Sequence, residues 1–107
     1  MDERIKKLAH NLVNNSCKVQ KGEHVLINTI GEDTLELSRA LIKEIYLLGA
    51  YLHIELKNTS ITREMYLGCS DAQLTAMQDY ELYKMKKMDA FIGIRSTDNT
   101  YEYLDVP

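Results

Sequence analysis

With 107 residues, 45% of them hydrophobic, the chain can bury one core but not two independent ones. Its 16 acids against 13 bases leave a net charge of -3, which gives no bulk electrostatic reason to bind nucleic acid or an anionic membrane. No run of about 18 apolar residues occurs, and the opening MDERIKKLAH carries charges where a signal peptide needs an apolar stretch, so the expected compartment is the cytoplasm.

In chain order, Ile5, Leu8, Ala9, Leu12 and Val13 recur at helical spacing and predict a first helix with one apolar face. The polar NNS and the loop KVQKGE, with a turn at Gly22, lead into HVLINTI, a short run rich in β-branched residues that predicts the first strand. From Asp33 the period becomes helical. Leu37, Leu41, Ile45 and Leu48 form the apolar stripe, Glu36, Arg39 and Lys43 the polar one, and Gly49 supplies a left-handed C-cap. YLHIEL, Tyr51 to Leu56, follows as a second strand, with His53 expected in a buried setting. A strand, a helix and a strand with tight connections make a βαβ unit with parallel strands and a right-handed crossover.

A short helix around Ile61 to Gly68 and a longer one from about Asp71 to Met88 come next, the longer one opened by Ser70 with Gln73 three residues on, as in a capping box. DAFIGI, Asp89 to Ile94, predicts a third strand. The expected fold class is therefore α/β: a three-layer, flavodoxin-like or Rossmann-like domain with a parallel three-strand sheet covered by helices on both faces. Such a sheet leaves an open edge, and the ending STDNTYEYLDVP predicts a weakly held tail that folds back or pairs with a neighbouring molecule. Residues 1–107 thus read as a single domain, the truncated N-terminal part of a longer protein.

The candidate chemistry centres on VLINTIGEDT, where Glu32 and Asp33 stand at the carboxyl end of the first strand, the edge at which open α/β sheets bind ligands. Asp33 with Glu36 three residues on also fits an N-cap with its reciprocal carboxylate, and capping is the preferred reading. The alternative is a freestanding binding or regulatory module in which Glu32 or Asp33 joins Asp98 in an acidic Mg²⁺ site, with Asn99 beside it. A third possibility is a domain that only mediates dimerisation. One glycine in TIGEDT is too few for a phosphate cradle, so no nucleotide fingerprint is present.

His10, His24 and His53 fall on different elements without helical metal-pair spacing, and Cys17 and Cys69 read as reduced thiols in packing roles. Lys84, Lys86 and Lys87 read as the solvated side of a helix. The seven tyrosines suit partly exposed positions at a surface or an interface, Tyr101 and Tyr103 above all.

Taken together, an opening helix, then VQKGEHVLI, LSRALIKEIYLLGAYLHIEL, SDAQL and MDAFIGIRSTDN, in that order and spacing, resemble the N-terminal domain of the aminopeptidase T family of leucyl-type metalloaminopeptidases. The resemblance covers nearly the whole chain. It implies a cytosolic two-domain peptidase that removes N-terminal residues from peptides with two divalent metal ions of the Zn, Co or Mn type. It places the metal ligands in a later, C-terminal half, so no catalytic, cofactor-binding or metal-binding role is carried onto any residue here. The implied partners are that catalytic half, a peptide substrate in the whole enzyme only, and a second copy of the chain; nucleic acid and membrane are not among them.

Overall fold

The computed structural model describes residues 2–97 and 100–106, with Glu32 and residues 96, 97 and 100–106 described by their backbone alone. Helix α1 spans Glu3–Asn11 and starts where the Asp2 carboxylate accepts the Arg4 N–H. It continues into a π-helical turn, Leu12–Ser16, so the polar NNS extends the helix instead of opening a loop. Strand β1 is His24–Ile30, helix α2 Leu35–Leu47 and strand β2 Tyr51–Lys57. Helices α3, Thr59–Gly68, and α4, Asp71–Lys86, precede strands β3, Ala90–Thr97, and β4, Thr100–Val106.

The sheet order is β2-β1-β3-β4, with β1 parallel to both β2 and β3. The three parallel strands are those the sequence predicts. The tail adds a fourth strand, because β4 turns back antiparallel on β3 from Thr97↔Thr100 to Phe91↔Val106 and covers that edge. Of the two fates expected for the tail, it takes the one within its own domain. The side chains of Tyr101 and Tyr103 lie outside the described residues.

Alternation along β1 assigns the faces of the sheet. Val25 and Ile27, with Ala90, Ile92 and Ile94 of β3, pack into one core with Ala9, Leu12 and Val13 of the first helix and Leu37, Leu41 and Ile45 of α2. Each of these alternating side chains is at most 6% exposed. The opposite face carries Leu26, which is fully buried, and His24, Asn28 and Ile30, which are half-buried. Neither α3 nor α4 contributes a buried residue, and Ile61 and Leu67 are both 69% exposed. Strand β2 is an edge strand, so His53 is half-buried and not enclosed as expected.

Local chemistry explains the helix ends. At the end of α2, Gly49 takes φ +74, its N–H donates to Tyr46 O, and Ala50 N–H reaches Ile45 O. This is a Schellman cap, for which a left-handed glycine is the natural residue. The start of α2 differs from the sequence reading. Gly31 turns the chain at φ +101, a 3₁₀ turn takes up Glu32–Thr34, and the N-cap position falls on Thr34, one residue after Asp33. The Thr34 hydroxyl is drawn back to Gly31 O at 2.6 Å, which fixes that turn. The Glu36 carboxylate accepts the Asp2 N–H. Helix α3 begins at Thr59, two residues before the apolar pattern starts, because the Asn58 carboxamide oxygen accepts from Ser60 N and Ile61 N. Ser70 caps α4 as expected, its hydroxyl accepting the Gln73 N–H at 3.1 Å.

Candidate functional site at the carboxyl edge of the parallel strands

Strand β1 leads through α2 to β2 on one face, and β2 returns through α3 and α4 to β3 on the other. The direction of winding therefore reverses at β1. In open α/β sheets the crevice beyond the strand ends at such a reversal is the usual ligand position. Here it holds a cleft of about 340 Å³ between the strand ends and α3. Asn28 and Ile30 of β1, Lys57 of β2 and Arg95 of β3 form its floor, and Arg63 and Tyr66 of α3 stand over it. The register explains the grouping: Asn28 lies beside Gly93, and Ile30 beside both Lys57 and Arg95.

Two features of the cleft bear on chemistry. The Asn28 Oδ1 is buried and has no hydrogen-bond partner among the described residues. An unpaired buried amide oxygen costs about 1–3 kcal/mol. Three cationic side chains also converge. Lys57 has the Glu55 carboxylate 3.5 Å away, whereas neither Arg63 nor Arg95 has an ion-pair partner among the described residues.

Glu55 connects β2 to α4. Burial by itself would raise its carboxyl, but the hydrogen bond and charge of Lys84, with help from Lys57, outweigh burial and hold it below the ordinary 4.5. Lys84 is therefore half-buried and engaged, not part of a solvated face, while Lys87 lies 5.4 Å from the Tyr83 ring centre. Because the folded value is the lower one, this carboxylate adds stability above its unfolded pKa and that stability is lost as pH falls through the folded value. Between about pH 6 and pH 3 the denaturation midpoint of Glu55→Gln should accordingly fall less than that of the wild type. Parallel pH profiles for the two proteins would contradict the pairing.

The other sequence candidates separate. Asp33 is exposed in the 3₁₀ turn, the Glu32 side chain lies outside the described residues, and so do Asp98 and Asn99. His10 Nδ1 is 3.2 Å from Glu44 on the helical face, remote from the strand ends. His24 and His53 do meet, Nδ1 to Nε2 at 2.9 Å, with Tyr51 stacked on His24 at 4.8 Å between ring centres. Sequence spacing hid this pair, since only the β1–β2 register makes the two histidines neighbours. Cys17 and Cys69 are both half-buried thiols. The exposed rings of Tyr46, Tyr51, Tyr66, Tyr80 and Tyr83 match the expected surface role. Among the described residues no three His, Cys, Asp or Glu side chains gather closely enough to hold a metal ion.

Comparison with known proteins places these features in a lineage. The sequence profile of the family described as thermophilic metalloprotease (M29) matches residues 1–107. Aminopeptidase PepS of Streptococcus thermophilus is 31% identical over 104 residues, which cover 90% of this chain and 24% of PepS. The solved structure of wild-type AmpT from Thermus thermophilus is similar with a TM-score of 0.50 and 20% identity over 64% of this chain and 17% of AmpT, a likeness in fold. The chain thus spans 24% of the length of the curated relative it matches.

Proposed function

Since the chain belongs to the thermophilic metalloprotease (M29) family, we propose that it is the N-terminal, non-catalytic domain of a metal-dependent aminopeptidase that releases N-terminal residues from peptides. The observation that carries this reading is the match of all 107 residues to the family, taken with a span of 24% of PepS. Leucyl-type preference and a cytosolic setting belong to the same proposal. No helix among the described residues is long and apolar enough to cross a membrane.

The family description implies metal, and the side chains among the described residues do not fit a metal centre. Zinc in proteins takes three or four donors, whereas the closest candidates are a two-histidine pair and a lone His10 with Glu44. No catalytic step is assigned to this chain. Its role in the reading is to pack against the catalytic half of the enzyme. The exposed apolar residues of α3 and α4, among them Ile61, Leu67 and Tyr80, and the unpaired edge of β2 are surfaces suited to such a contact or to a second copy. An aminoacyl chromogenic substrate with Zn²⁺, Co²⁺ or Mn²⁺ tests the assignment. No turnover is expected from the 107-residue chain, and turnover that survives repurification and disappears in His24→Ala or His53→Ala would overturn it.

A further inference from the structure

The cleft at the carboxyl edge has a chemistry of its own. We propose that it binds the terminal carboxylate of an apolar amino-acid residue, with the guanidinium groups of Arg63 and Arg95 taking the carboxylate and the buried Asn28 Oδ1 accepting an N–H of the same residue. The inference stands on the cleft alone, so its failure would leave the family reading intact.

Three observations converge on that ligand class. A cleft of about 340 Å³ suits a ligand of one or two residues; known small-molecule pockets begin at about 300 Å³. Its cations are chiefly arginines, whose planar forks match a carboxylate with two parallel hydrogen bonds. The register sets Glu102 opposite Arg95, which leaves Arg63 of α3 as the anchor with the clearest claim. The unpaired Asn28 oxygen asks for a donor beside the negative group, a combination that the N–H groups next to the carboxylate of an amino acid or a peptide end offer. Ile30 and the Tyr66 ring supply apolar wall for a side chain.

The same chemistry occurs in a free amino acid and in the last residue of a peptide, and the titration separates them. The ¹⁵N-labelled 107-residue chain is titrated with L-leucine, with Gly-Gly-Leu, with its C-terminal amide and with inorganic phosphate. Amide shifts around Asn28, Arg63 and Arg95 should saturate with Gly-Gly-Leu, with L-leucine or with both, while the amidated peptide binds at least about tenfold more weakly, as does phosphate. A response to leucine alone assigns the site to free amino acids, and a response to the tripeptide alone assigns it to peptide ends.

Arg63→Gln, at an exposed position on α3, should weaken the acid ligand at least about tenfold without altering the rest of the spectrum. Three results would overturn the proposal. They are an absence of localised shifts up to about 10 mM ligand, equal binding of acid and amide, and an Arg63→Gln variant that binds like the wild type. The acid and amide comparison uses the unaltered chain, so it decides the matter even if a variant fails to fold.

Discussion

Leu41→Ala is expected to cost about 2–5 kcal/mol, a large part of the roughly 5–15 kcal/mol that holds a domain of this kind together. Leu41 is 0% exposed, in the middle of the α2 stripe, packed in the same core as Val25 and Ile27 of the central strand. Its loss removes transfer free energy and leaves a cavity that the strand and helix close only in part. Leu82, on α4, is 55% exposed, and Leu82→Ala should stay within about 0.5 kcal/mol of the wild type. The contrast is the sharpest energetic consequence of a sheet whose two faces are unequally covered. Chemical denaturation of the two variants measures it. Comparable losses would mean that α4 is buried in solution against something that the exposed surface does not show.

The half of the fold that rests on local rules was legible in the sequence. The β-branched run of β1, the helical stripe of α2 and the glycine that ends it each have a physical cause within a few residues, and the structure realises each of them. The Ser70 cap of α4 belongs to the same class. The start of α2 was displaced by one residue because the Thr34 hydroxyl has a nearer acceptor in Gly31 O, a competition that a capping pattern alone does not reveal. Helices were expected to cover both faces of the sheet, yet Ile61, Leu67 and Leu82 of α3 and α4 stand in solvent, because a βαβ layout sets on which face a helix runs and not how closely it packs there.

What the sequence concealed depends on register and crossing. His24 and His53 are 29 positions apart and meet only through the β1–β2 pairing. Asn28, Arg63 and Arg95 lie on three elements, and none belongs to a motif; only the reversal of winding at β1 gathers them in one cleft. Glu32 and Asp33 share the same edge of the sheet, and Asp33 is an exposed member of the turn that starts α2.

The claim on which the functional reading depends is that this chain has no metal centre of its own, and metal retention tests it most directly. The 107-residue chain is equilibrated with Zn²⁺, Co²⁺ or Mn²⁺ in turn, dialysed against metal-free buffer, and its bound metal counted by elemental analysis. Among the described residues the nearest approach to a site is the histidine pair at 2.9 Å, and the Asp89 carboxylate accepts the backbone N–H of His24 at 2.8 Å. Two imidazoles fall short of the three or four donors that hold zinc firmly. The account predicts retention well below one ion per chain, unchanged in His24→Ala and His53→Ala. One or two ions per chain surviving dialysis, and lost when either histidine is replaced, would contradict it.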